Sequence, residues 1–202
     1  MRKKITALCI IITMMIQILS PGIITHADLT TWQDPENIAI GFNGGTGTEA
    51  DPFQISTPDE LAYFAKRVID GHGFNGQYIV LTNNIDLWGM LWIPIGTSSA
   101  PFDGHFSGNG HIITRMQVNA NVGYIGLFSK ISSGATVDRL GLVNVSITGG
   151  ASSERVGGIA GLNSGTISNS YVTTGPDSEL IILLNPSGDH TGGIAGENTT
   201  TG

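Results

Sequence analysis

Three of the aspartates, four of the five histidines and two of the three tryptophans are the candidates for chemistry in this chain. The acids are Asp86, Asp103 and Asp138. Carboxylate catalysis needs several acids, or acids with a metal and a base, converging on one face. No Asp-Asp pair and no Asp-x-Asp-x-Asp run occurs, which argues against a calcium loop. Asp86, in Asn84-Ile85-Asp86-Leu87, also reads as a corner aspartate accepting backbone N–H bonds. His72, His105, His111 and His190 lack ligand spacing of the His-x-x-x-His kind and read as structural or surface residues. The expectation is no catalytic residue, no metal ligand and no cofactor. Trp88 and Trp92 are candidate glycan contacts, because indole faces are good platforms for sugar rings. The competing reading packs Trp92 inside the first turns, and leaves Trp88 either packed or exposed.

The elements that must position these residues announce themselves by repetition. Gly157-Gly158-Ile159-Ala160-Gly161-Leu162-Asn163 returns 35 residues later as Gly192-Gly193-Ile194-Ala195-Gly196-Glu197-Asn198. A fainter copy, Val122-Gly123-Tyr124-Ile125-Gly126, precedes Val156-Gly157-Gly158-Ile159 by 34 residues. Such a period means stacked supersecondary units. Gly165-Thr166-Ile167-Ser168-Asn169-Ser170-Tyr171-Val172 alternates apolar and polar residues. Short strands with Gly, Asn and Ser corners fit a β-solenoid. Structural roles are therefore expected for Gly157, Gly158, Ile159, Gly161, Asn163, Gly165, Ile167 and Asn169. The same holds for Gly192, Gly193, Ile194, Gly196 and Asn198. Ile159 and Ile194 should take one inward position, and the asparagines should bond backbone at corners.

Thr57-Pro58-Asp59-Glu60 starts a helix: Thr57 as N-cap, Pro58 at the first position, Glu60 closing a capping box. Leu61, Phe64, Ala65 and Val68 share one face, and the helix, about 58–70, ends near Gly71 and covers the N-terminal end of the solenoid. Strands are expected at 78–81, 85–87, 93–95, around Phe106, at 111–113 and at 116–118. Asn75-Gly76 and Asn109-Gly110 mark tight turns. The apolar run Glu179 to Leu184 reads as an insertion, either a protruding hairpin or an extra turn.

The stretch from Gly157 to Tyr171 resembles the GLUG motif of bacterial surface proteins. Gly44 to Thr57, Leu81 to Leu87, Trp92 to Gly96 and Phe102 to Ile113 are similar to the usual opening of such proteins. The resemblance covers about residue 41 to the end. It implies a right-handed parallel β-helix, all-β apart from one capping helix, on an exported protein, and it implies no catalytic residues.

Residues 1–27 have the layout of a secretory signal peptide: Arg2, Lys3 and Lys4, an apolar run, then Pro21-Gly22 and small residues before Asp28. An uncleaved anchor is the alternative. Cleavage removes Cys9, the one cysteine. Taking those three basic residues from nine Lys plus Arg leaves six against sixteen Asp plus Glu, a net charge of −10. An acidic exported chain is a poor partner for nucleic acid or an anionic membrane. The organisation expected is a signal peptide over 1–27, a polar lead-in over 28–43 and a β-helix over 44–202. Its repeats fall near 122–150, 156–174 and 191–202, the last cut short, as in a piece of a longer protein with further domains downstream. The function expected is a non-catalytic stalk or adhesion module, secreted or on the cell surface, whose partner is a cell-surface glycan or another protein. The alternative is a carbohydrate-binding or polysaccharide-lyase-like β-helix.

Overall fold

The computed structural model describes residues 30–175, 181–183 and 190–199. Short strands stack in parallel into five ladders. Ladder one joins Phe53–Ile55, Tyr78–Leu81, His105–Ser107, Thr136–Asp138 and Thr166–Ser168. Ladder two joins Ile85–Asp86, Ile112–Thr114, Gly141–Val143 and Tyr171–Thr173, and ladder three Gln117–Ala120, Ser146–Gly149 and Ile181–Leu183. Ladder four holds Tyr124–Ile125, Arg155–Gly157 and His190–Gly192, and ladder five Phe128–Ile131, Ala160–Asn163 and Ala195–Asn198. One pass through the ladders is one coil, so the chain is a parallel β-solenoid with a single α-helix among the described residues. Strand alternation sends Ile79, Phe106, Val137 and Ile167 inward in register on ladder one. Ile85, Ile113, Leu142 and Val172 do the same on ladder two.

Register resets the expected alignment of the repeats. Ile125 lies opposite Val156, 31 residues on, so the copy at Val122 is matched by glycine identity and not by coil position. Ile159 and Ile194 do share a level, the Ile159 N–H donating to the Ile194 carbonyl at 2.8 Å. Ile159 is fully buried, whereas Ile194 is 40% exposed because no described coil covers it. Of the run Glu179 to Leu184, the described part Ile181–Leu183 pairs with Ser146–Thr148 as the third strand of its coil. Its flanks lie outside the described residues. The 35-residue period is thus a coil of about thirty residues lengthened between ladders two and three.

The repeated glycine phrase is a packing device. Ladders four and five lie back to back, and a Cβ on Gly161 would stand 2.5 Å from the Ile125 nitrogen. On Gly196 it would stand 2.6 Å from the Val156 nitrogen, and on Gly157 2.3 Å from the Ala160 oxygen. Side chains normally hold stacked sheets about 10 Å apart; here the backbones touch. Ile159, between the two ladders, fills the interior.

The helix spans Pro58–Ile69, with Leu61, Ala62, Phe64, Ala65 and Val68 buried. Thr57 and Glu60 take up the capping-box arrangement, with the close hydrogen bonds on the Glu60 side. Glu60 accepts the Thr57 N–H at 3.2 Å and the Ser56 N–H at 2.6 Å. The buried Thr57 hydroxyl has no hydrogen-bond partner among the described residues. The lead-in from Thr30 lies along the first coil. There the Gln33 carboxamide imitates a strand edge, donating to the Ile93 carbonyl at 2.9 Å and accepting the Ile93 N–H at 3.0 Å. No strand forms at 93–95. Leu91 bridges to Gln117 and Ile95 to Phe128, so this coil covers in four residues what the next covers in eleven. The shortcut leaves a recess of about 430 Å3 beside Trp92, Pro94, Val122 and Tyr124.

Candidate functional site

Trp92 is 1% exposed, and its indole N–H donates to the Leu127 carbonyl at 3.2 Å. It is a core residue at the shortcut, so it is withdrawn as a glycan contact. Trp88 is 61% exposed. The Arg115 guanidinium lies over its ring, 5.0 Å from the centroid. Asp86 in turn accepts from Arg115 Nε at 2.9 Å and from its Nη2, and takes the Trp88 N–H at 3.2 Å. Asp86 is therefore a corner residue whose charge is matched.

The other acids are similarly engaged. Asp103 accepts from the Asn75 amide at 2.7 Å. Asp138 accepts from the Asn169 amide at 2.8 Å, the Ser168 hydroxyl at 2.9 Å and Arg139 Nε at 2.7 Å. These three acids sit in separate places: Asp86 on ladder two, Asp138 on ladder one and Asp103 in the turn before His105. Among the described residues no group of three or more His, Cys, Asp and Glu side chains could hold a metal. His111 Nδ1 lies 3.3 Å from Asn84 Oδ1, and His190 is on ladder four, where its N–H donates to the Glu154 carbonyl. His72 lines a surface hollow with Phe42 and Tyr63.

The corner asparagines tie coil to coil. Asn163 donates to Asn198 Oδ1 at 3.0 Å and accepts the Gly165 N–H at 3.1 Å. Asn169 takes a left-handed φ of 49°, as Arg139 does at 50° and Arg115 at 56°. That conformation costs a non-glycine residue about 1–3 kcal/mol, and both arginines are held in it by an aspartate partner. The Arg115 guanidinium holds the Asp86 carboxyl below its usual range. The Asn169 amide, then Ser168 and Arg139, do the same for Asp138. Both folded values lie below the unfolded one of about 3.9. Their contribution is therefore present above about pH 4 and is lost as pH falls through the lowered values. An Asp86→Asn, Asp138→Asn double variant should unfold at lower urea than the parent at about pH 6. The two should converge near pH 2. A gap that stays constant across this range would remove the charges from the explanation.

One concave surface with a mixed polar and apolar lining emerges that no single segment announces. Two outward rows run along ladder one: Tyr78, His105 and Thr136, and beside them Val80, Ser107 and Asp138. These residues, with Glu49 and Pro52, line a trough of about 310 Å3. Its first wall is a ring stack, Tyr78 on His105 with centroids 4.4 Å apart and planes at 28°. His105 Nδ1 is 2.9 Å from the Thr136 hydroxyl. The second wall carries Arg139, which bonds Asp138 and reaches the Ser107 hydroxyl at 3.2 Å. The signal for this surface was the polar-apolar-polar triplet His105-Phe106-Ser107 recurring as Thr136-Val137-Asp138.

No protein-family profile matches the chain. A relative from Evansella cellulosilytica, provisionally named a Gly-rich membrane protein, is 38% identical over 136 residues, covering 66% of this chain and 16% of the relative. Halomucin from Haloquadratum walsbyi is 28% identical over 169 residues, covering 78% of this chain and 2% of that protein. The chain thus spans a small part of the length of either relative. Among solved structures, a Bacteroides ovatus protein provisionally described as an immunoglobulin A1 protease matches with a TM-score of 0.56 at 19% identity. The match covers 78% of this chain and 56% of that one, and it shows the fold alone. Among the described residues no helix is long and apolar enough to cross a membrane.

Proposed function

We propose that this chain is a non-catalytic β-solenoid module of the GLUG kind, exported and displayed on a cell surface as a stalk or adhesive unit. The observation that carries the reading is the use made of its polar residues. Asp86, Asp138 and Asn163 spend their hydrogen bonds on tying corners and coils together. A solenoid whose polar groups serve its own stacking is suited to spacing and presentation. The relatives support the setting: one is named for glycine richness and a membrane, the other is called Halomucin, and each contains this stretch as a small share of its length. Fold alone does not assign a role.

The test is localisation of the full chain in a bacterial host. Protease treatment of intact cells, or recovery from the medium, should reach the solenoid, and N-terminal sequencing should begin at Asp28. Protein that stays inside intact cells, beyond protease, with Met1 at its start would sink the reading.

A further inference from the structure

We propose that the trough on ladder one is a binding site for a neutral pyranose unit of a polysaccharide. The inference deepens the adhesive reading by naming what the module would hold. A sugar ring presents C–H patches beside a fringe of hydroxyls, so its site needs an apolar wall next to convergent donors and acceptors. The trough supplies both. The Tyr78–His105 stack and Val80 give the apolar side. Ser107, Asp138 and Arg139 give the polar side, already oriented by bonds to one another and to Ser168 and Asn169. Arg139 has five N–H donors and directs two of them at Asp138 and Ser107, so donors remain for ligand hydroxyls.

Position adds to the case. Tyr78, Val80, His105, Ser107 and Asp138 stand on strands of three consecutive coils, fixed by parallel pairing on both sides of His105–Ser107, and Arg139 stands at the corner that follows Asp138. Sites built on strands hold their geometry better than sites on loops. A volume of about 310 Å3 sits at the lower end of ligand pockets, the scale of one ring and not of a folded partner. Charge selects against acidic sugars. Glu49 and Asp138 both line the trough, and Arg139, the one Lys or Arg among its described lining residues, is matched by Asp138. A uronate would meet carboxylates without a spare positive charge.

The experiment is calorimetric titration of the purified protein with maltotetraose, cellotetraose and mannotetraose, and with tetragalacturonate as the acidic probe. At least one neutral tetrasaccharide should bind with a Kd of about 1 mM or tighter. His105→Ala and Arg139→Asn should each weaken it about tenfold or more. Asparagine is chosen at 139 because it tolerates the left-handed backbone there. Trp88→Ala, on the other side of the Arg139 corner, should leave binding unchanged. Circular dichroism and urea midpoints must show both trough variants folded, and Ser107→Ala serves as a third if either is not. The assignment is overturned if none of the neutral sugars binds, if only tetragalacturonate binds, or if Trp88→Ala abolishes binding that the trough variants leave intact. None of these results depends on where the protein resides in the cell, so failure here and failure of surface display are separate outcomes.

Discussion

Replacing Phe64 by alanine should cost about 3–5 kcal/mol of stability, the largest loss expected from any single truncation in the described chain. Phe64 has no exposed surface. Its ring meets Phe74 at 5.2 Å, Phe102 at 5.6 Å, Phe106 at 5.7 Å and Phe128 at 6.4 Å between centroids. Each such pair adds roughly 0.5–1.5 kcal/mol beyond the area it buries. The partners come from different levels of the solenoid, so the residue joins the helix to the loop at Phe74, the shortened coil and the coil after it. An alanine would leave a void that packed strands cannot close, because every one of them is pinned in register. Urea unfolding measures the loss. Hydrogen exchange locates it: protection should fall in the helix and in residues 78–131, and much less in 136–163, since a solenoid coil touches only its neighbours. A loss below about 1 kcal/mol would mean that the helix is an ornament on a solenoid that is stable without it.

The same contrast explains what could be read before any coordinates. Class and direction of the chain were legible, because Gly-Gly-Ile-Ala-Gly repeats verbatim and alternation marks strands even when they are three residues long. The helix was legible from Pro58, Glu60 and its apolar face. The phase of the coils was not. Identity between Val122-Gly123 and Val156-Gly157 suggested one alignment, yet hydrogen bonding sets Ile125 against Val156, and burial follows the hydrogen bonds. A glycine match records where backbones come close; it does not record which apolar residue faces inward. Trp92 shows a second limit. Its neighbours Ile93 and Pro94 read as strand, but the chain cuts across between ladders three and five, and the indole turns in to fill the corner. The trough was hidden for a third reason. Tyr78, His105, Ser107 and Asp138 are spread over sixty residues, and they meet only once three coils have been stacked in the correct phase.

Gly161 is where the sequence signature and the physics can be separated by one methyl group. Gly161→Ala should destabilise the protein by about 3 kcal/mol, at the upper end of what overpacking costs. The added carbon would lie 2.5 Å from the Ile125 nitrogen and 2.7 Å from the Tyr124 carbonyl carbon. Those are backbone atoms, so no rotamer change relieves the clash; the two ladders have to part. Parting them disturbs the pairing of Arg155–Gly157 with Tyr124–Ile125 one layer away. Gly193, in the same repeated phrase, supplies the control. A Cβ there meets nothing within 4 Å among the described residues, and its φ lies outside the left-handed range. Gly193→Ala should therefore change stability by no more than about 0.5 kcal/mol, with a gain expected from the stiffer unfolded chain. If the phrase matters because glycine is flexible, the two substitutions should hurt alike. If it matters because two sheets touch through it, only Gly161→Ala should, and urea midpoints of the two variants decide between these accounts.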